Sequence, residues 1–328
     1  MPALAHALAI AGVAARVCRL ENESLAGADC LHLFGSCPEH LGTVDKAHRQ
    51  NVKVVLSPQL GLGAVENPRR PWAVARRVAN WALSLGQAAC PRLISWRRRL
   101  YGAVDLLLPN SNAEAAQLMR RFGVPAGRIF VVPHGADPQL AAADPEPFVR
   151  HAGLRDFVLS AGPIAPEENQ LGLLWAMHRV DLPIVVLGNA AAGKGWYLSE
   201  CRRVAGDRAR FLPQIGYGNP LLASAFAAAK CLVRVSWAET LPPAVLAAAM
   251  TGAPLVLPEG GCAGEYFGRQ ALYVRPDDLP GIRTAVFTAM ERGRSKDLAQ
   301  HVRTYFSWHA TAKTTREAYL KLLQRDSP

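Results

Sequence analysis

Glu239 is the one acid in a loop that runs into a helix, and its neighbours set what it can do. The stretch from Ser236 to Pro254 reads S-W-A-E-T-L-P-P-A-V-L-A-A-A-M-T-G-A-P. Pro242 and Pro243 stand where the first turn of a helix tolerates proline. Ala244 to Met250 are strong helix formers. Gly252 stops the helix, and Pro254 follows the stop. A carboxylate at the mouth of such a helix is placed to hold a polar ligand, and the unpaired N–H groups of the helix start favour an anion.

The elements that position this loop are a strand before it, closing over Val233 to Val235, and a buried strand after it, Leu255 to Pro258. The same β-loop-α-β rhythm runs through the chain. Its first part reads as helix Pro2 to Ile10, strand Val13 to Cys18, strand Leu31 to Phe34, helix Thr43 to Gln50 and strand Val52 to Leu56. A long insertion from Pro58 to Tyr101 carries helices at Trp72 to Leu85 and Leu93 to Tyr101. Strand Val104 to Pro109, an Asn110-Ser111 cap, helix Ala113 to Phe122 and strand Ile129 to Val132 follow. A linker, Ala141 to Gly153, separates a second part. Strands there are expected at Phe157 to Ser160, Pro183 to Leu187, Ala209 to Leu212 and Leu272 to Val274. Helices are expected at Asn169 to Met177, Lys194 to Val204, Leu221 to Ala229 and Gly281 to Arg292, with a last helix ending at Leu323. Alternation of this kind specifies parallel, doubly wound sheets. The chain opens on a helix, so the first domain is read as lacking the strand and glycine-rich turn that usually begin it, through a late start or a trimmed domain.

The 328 residues suffice for two domains, and the formal charge of +11 calls for an anionic partner. Seven dispersed cysteines form no C-x-x-C pair and no zinc spacing, so reduced thiols in a cytoplasmic protein are expected. No apolar run is long enough to span a bilayer, and no signal peptide is legible. Between Glu66 and Asp105 the chain has no acid, while Arg69, Arg70, Arg76, Arg77, Arg92, Arg97, Arg98 and Arg99 alternate with Trp72, Trp81 and Trp96. A basic helical segment with tryptophans, residues 66–102, can lie on an anionic membrane surface or be a solvated cationic face. No nucleic-acid motif accompanies it.

Several further stretches stand in a fixed order: L-L-L-P-N-S-N-A-E, then F-G-V and V-V-P-H-G-A-D, then V-L-S-A-G-P-I-A-P-E-E-N-Q, S-W-A-E-T-L with M-T-G-A-P, G-G-C-A-G-E-Y-F-G, Y-V-R-P-D-D and F-S-W-H-A-T-A. Together they resemble the retaining glycosyltransferases of family 4. The resemblance implies an α/β fold of GT-B architecture, with two Rossmann-like doubly wound parallel-sheet domains facing a cleft and a C-terminal helix crossing back to the first. On this reading residues 1–140 are the acceptor-side domain, 141–153 the linker, 154–304 the donor-binding domain and 305–328 the crossover helix. The implied activity is that of a hexosyltransferase-type enzyme. It moves a sugar from a nucleotide-sugar donor to a glycan or lipid-linked acceptor with retention, without a metal or cofactor, in polysaccharide biosynthesis at the inner face of the membrane.

The resemblance assigns donor contacts to Gly162, Asn169, Glu239, Thr240, Leu241 and Glu265. Gly162 would let the backbone approach the diphosphate, Asn169 would cap the donor-side helix, and Glu239 would bind the sugar. The chain departs from the pattern elsewhere. Pro163 replaces an arginine and Glu168 a lysine, both of which bind the diphosphate in the family. Ala247 replaces the second of two glutamates. Ser57-Pro58-Gln59 stands where many relatives carry a histidine near the reacting sugar. His32 and His134, near predicted strand ends, are the remaining catalytic candidates, or structural histidines. Lys194, Arg202 and Arg234 would compensate as phosphate contacts, or are surface and helix-face charges. Losing a group that stabilises transition-state charge costs about 3 to 4 kcal/mol. A second reading is therefore a catalytically degenerate GT-B protein that binds a ligand or supports a partner enzyme.

Overall fold

The computed structural model describes residues 2–18, 24–59, 95–237 and 241–324. The helix expected at residues 72–85, most of the basic segment, Ala238, Glu239 and Thr240 lie outside the described residues. The chain divides into two compact units, Met1–Gly135 with Trp308–Pro328, and Ala136–Ser307.

The first unit opens with helix α1 (Pro2–Ile10). Strand β1 (Cys30–Phe34), helix α2 (His40–Arg49) and strand β2 (Lys53–Ser57) follow. Helix α3 (Trp96–Ala103), strand β3 (Leu106–Leu107) and helix α4 (Asn112–Phe122) complete the alternation. The described strands form a parallel sheet in the order β1-β2-β3. Alternate strand residues face opposite sides, and both sides are covered. Leu31, Val54, Leu56 and Leu107 pack with α2, α3 and α4. Val55, Leu106 and Leu108 pack with Leu4 and Leu8 of α1 and with Ala312, Ala318 and Leu322 near the C-terminus. The expected strand at residues 13–18 is not formed. Val13 and Ala15 pack onto the α1 core instead of joining a ladder. The expected strand at residues 129–132 is reduced to one bridge, Leu107 to Ile129, continued by Val132 N–H donating to the Pro109 carbonyl.

The second unit begins at Ala136 and takes in the whole of the expected linker, 141–153. Residues 146–152 there form helix α5 (Glu146–Ala152), because Phe148 and Ala152, one turn apart, are both fully buried. The Phe148 N–H donates to Ser224 Oγ and the ring lies 5.6 Å from that of Phe157, so α5 is part of this unit's body. The chain continues with β4 (Val158–Ala161), α6 (Gln170–Ala176), β5 (Ile184–Leu187) and α7 (Gly195–Ala205). Next come β6 (Ala209–Leu212), α8 (Pro220–Ala228), β7 (Cys231–Val233) and α9 (Pro243–Met250). The unit ends with β8 (Leu255–Pro258), α10 (Ala263–Phe267), β9 (Leu272–Val274), α11 (Leu279–Arg292) and α12 (Lys296–Tyr305). The sheet is parallel throughout, in the order β6-β5-β4-β7-β8-β9. Its order reverses between β4 and β7, the place where open α/β sheets bind their ligands at the strand carboxyl ends. Helices α6, α7 and α11 bury one face. On the other side α5 packs on α8, and α9 packs on α8, α12 and β8.

The last helix, α13 (Trp308–Gln324), belongs to the first unit, where it packs along α1. This is the return expected of the C-terminal helix. Thr311 Oγ1 donates to the Pro133 carbonyl, which ties α13 to the end of the first unit's own chain segment.

Candidate functional site

The loop after β4 is held by backbone geometry that few residues permit. Gly162 has φ +144°, and its N–H donates to the Leu187 carbonyl at the end of β5. A side chain at Gly188 would collide with the Gly162 carbonyl oxygen. The loops after β4 and β5 then bridge through Ile164 and Ala190. Gln170 Nε2 donates to the Pro163 carbonyl at 2.8 Å, so Pro163 is built into a closed turn.

Asn169 does not cap α6. It takes the left-handed conformation, φ +56°, with no side-chain bond to the helix start. Its Nδ2 donates instead to the Val235 carbonyl at 3.0 Å and the Pro276 carbonyl at 2.9 Å. Gly172 makes room for that amide, since a Cβ there would lie 2.6 Å from Asn169 Nδ2. One side chain thus joins the segments after β4, β7 and β9. The Trp237 N–H donates to the Glu167 carbonyl at 2.9 Å beside it.

Between these two ties, Glu168 meets Arg234, the first residue after β7. Arg234 Nε donates to Glu168 Oε2 at 3.1 Å, and Nη2 donates to Oε1 at 3.2 Å. The side chains are 8% and 20% exposed. The pair spans the point where strand order reverses. Sequence reasoning named Arg234 and Glu168 separately and missed their pairing; the signal was opposite charges beside the carboxyl ends of two different strands.

The remaining residues of the second unit spread along the strand ends. Lys194 immediately precedes α7, on the loop after β5. Arg202 lies in the last turn of α7, eight residues and about 12 Å of helix further on, with its guanidinium 5.8 Å from the Phe211 ring centroid. The returning helix carries Arg202 away from the loop that holds Lys194. Glu265 is exposed in the first turn of α10. Leu241 is buried just before α9. Residues 244–250 of α9 are all buried, Ala247 among them, so that helix is apolar on every side. Glu239 and Thr240 lie outside the described residues.

In the first unit His32 is engaged on both nitrogens. Nδ1 pairs with Tyr319 Oη at 2.7 Å and Nε2 with Ser57 Oγ at 2.9 Å, and the ring stacks on Phe34 with centroids 4.0 Å apart. Burial pulls its pKa down to about 3, so the imidazole is neutral. His32 therefore fastens α13 to β1 and β2. His134 Nε2 lies 3.3 Å from Asn110 Nδ2, and burial lowers its pKa too. Gln59, two residues beyond β2, has φ +49°. Nearby, Tyr101 Oη donates to Ser36 Oγ, which donates to the Pro58 carbonyl. His40 begins α2 with a buried Nδ1 that has no partner among the described residues. Sequence reasoning passed over Ser36, His40 and Tyr101.

Burial raises the Cys30 thiol to about 11 and Cys201 and Cys231 to about 12, with the Asp29 charge adding at Cys30, so these thiols stay protonated. Among the described residues no group of three or more His, Cys, Asp or Glu is arranged to hold a metal ion. None of the described helices is long and apolar enough to cross a membrane.

Residues 7–140 match the family model described as Glycosyltransferase Family 4. The D-inositol 3-phosphate glycosyltransferase of Paenarthrobacter aurescens (strain TC1) is 26% identical over 275 residues, 74% of this chain and 64% of that protein. The chain thus spans a little under two thirds of that relative's length. Sucrose-phosphate synthase from Thermosynechococcus elongatus superposes with a TM-score of 0.70 at 20% identity, over 92% of this chain and 75% of that one. Anabaena HepE in complex with UDP and glucose superposes with a TM-score of 0.68 at 15% identity, over 88% of this chain and 77% of that one. Residues 7–140 are thus similar to family 4 glycosyltransferases, and the chain shares the fold of parallel-sheet units seen in these solved structures.

Proposed function

We propose that the chain transfers a sugar from a nucleotide-sugar donor to a glycan or lipid-linked acceptor, with retention and without a metal. The observation that carries this reading is the reversal of strand order between β4 and β7. A glycine loop, a helix start and a buried arginine meet there. Breaking a glycosidic bond moves negative charge onto the leaving diphosphate. Fixed cations and helix N-termini at strand carboxyl ends stabilise that charge. Gly162 gives close backbone approach, Asn169 positions the loop, and Arg234 and Lys194, on the segments after β7 and β5, supply the cations. Glu239 binds sugar hydroxyls, with Thr240 and Leu241 beside it in sequence and Glu265 in the first turn of α10. His32 is committed to Tyr319 and Ser57 and takes no catalytic part. The UDP and glucose bound by Anabaena HepE support a nucleotide-sugar donor for this fold.

The Glu168–Arg234 pair favours a second reading, a GT-B protein that binds a ligand without transferring sugar. Calorimetry with UDP, GDP and their sugars, followed by donor hydrolysis, separates the two. Micromolar binding with hydrolysis supports the transferase, binding without turnover supports the second reading, and absent binding of every nucleotide overturns the first.

The acceptor side is proposed to rest on an anionic membrane at the cytoplasmic face. Arg97, Arg98 and Arg99 are exposed on α3, and Arg120 and Arg121 stand in the last turn of α4. Arg98 reaches the end of α4, with its guanidinium 3.7 Å from where a Gly123 Cβ would lie. Changing Arg97, Arg98 and Arg99 to Ser should abolish co-sedimentation with phosphatidylglycerol vesicles; unaltered co-sedimentation removes the membrane proposal.

A further inference from the structure

We infer that Glu168 is an internal occupant of the second unit's anion site, so that a diphosphate binds only by taking Arg234 from it. The inference rests on the nucleotide-donor reading above. Glu168 ends the loop after β4, Arg234 begins the segment after β7, and the two strands are neighbours where the sheet order reverses. A carboxylate and a phosphate present the same paired oxygens to a guanidinium fork. Glu168 uses that fork bidentately, through Nε and Nη2.

The backbone that carries the carboxylate has little freedom to move away. Glu167 is tied by its carbonyl to the Trp237 N–H, and Asn169 is tied by its amide to the Val235 and Pro276 carbonyls. The backbone of Glu168 is therefore clamped on both sides to the segment that carries Arg234. Only rotation of the Glu168 side chain separates the pair, and an entering phosphate then meets the repulsion of that carboxylate. The charges of the two side chains sum to zero. The pair thus weakens diphosphate binding while keeping Arg234 aligned for it, and makes Glu168 a determinant of donor affinity.

The test is calorimetry of UDP and inorganic pyrophosphate with the full chain and three variants. Glu168→Gln keeps a hydrogen-bond acceptor beside Arg234 but removes the competing charge; it should tighten both ligands by tenfold or more. Arg234→Lys, which keeps charge without the fork, should weaken both at least tenfold. Adding Glu168→Gln to Arg234→Lys should regain less than half of that gain on a logarithmic scale. A Kd for UDP within twofold of the wild type in Glu168→Gln, or tighter binding in Arg234→Lys, overturns the inference and leaves the nucleotide-donor reading standing. Absence of nucleotide binding in the wild type and in every variant overturns that reading itself. Thermal unfolding of each variant with and without UDP keeps a misfolded protein from counting as either result.

Discussion

Arg234 donates to both carboxylate oxygens of Glu168, at 3.1 and 3.2 Å, from neighbouring strand ends of one parallel sheet. The charge at position 168 thus meets its counter-charge from a different strand's end. Removing one partner of a buried pair strands the other, whereas removing both does not. Arg234→Leu should therefore cost about 3 kcal/mol in urea unfolding. The double variant Arg234→Leu with Glu168→Leu should recover most of that loss. A double variant no more stable than the single one would show that the pair is not the relevant coupling.

Asn169 should prove unusually sensitive to an isosteric change. Its Nδ2 faces two carbonyl oxygens, those of Val235 and Pro276. Asn169→Asp puts a carboxylate against two acceptors, which leaves no hydrogen bond and adds repulsion. Thermal and urea unfolding should place Asn169→Asp at least about 2 kcal/mol below wild type. Asn169→Gly, which keeps the left-handed backbone easily, should lose less. Equal stability of the two variants would contradict this role.

His32 makes the stability of the first unit pH-dependent. Burial sets its folded pKa near 3 against an ordinary value of 6.5. The unfolded chain thus takes up a proton below pH 6.5 that the folded chain refuses. The contribution is complete above about pH 6.5 and falls as the pH drops towards 3, by about 1.4 kcal/mol per pH unit. The His32 ring should show no titration by NMR from pH 7 to pH 4.5. Tyr319→Phe should cost about 1 kcal/mol by losing the bond to Nδ1.

Gly188 should tolerate no side chain. Gly188→Ala drives a methyl group into the Gly162 carbonyl, and overpacking of this kind costs about 3 kcal/mol. The strain falls on the loop that carries Gly162. Gly188→Ala should therefore lose nucleotide affinity as well as melting temperature. A lowered melting temperature with unchanged UDP binding would separate this loop from the donor site.

Much of the architecture was legible in local pattern. Strands such as Ile184–Leu187 are short apolar runs buried on both faces, which is how a parallel sheet under helices reads. Ser111 caps α4 through its Oγ, as its position before the helix suggested. Local pattern misled at residues 146–152, where acids and prolines hid a helix whose buried side is only Phe148 and Ala152. It misled again at residues 13–18, where apolar residues serve a helix interface rather than a ladder. At Asn169 the residue type suggested a cap, but a left-handed backbone sent the amide elsewhere.

The sequence by itself determined the alternation of strands and helices, the glycines that the loops require, and the net positive charge, because each depends on residues close together in the chain. The tertiary structure alone decided which charges and rings meet. Arg234 and Glu168 are 66 residues apart, and His32 and Tyr319 are 287 apart. The first pair forms because the sheet order reverses and lays β7 against β4. The second forms because the last helix returns to the first unit. Neither contact has a local pattern to betray it, and both redefine what their residues do: Arg234 holds a carboxylate already in place, and His32 is a neutral fastener.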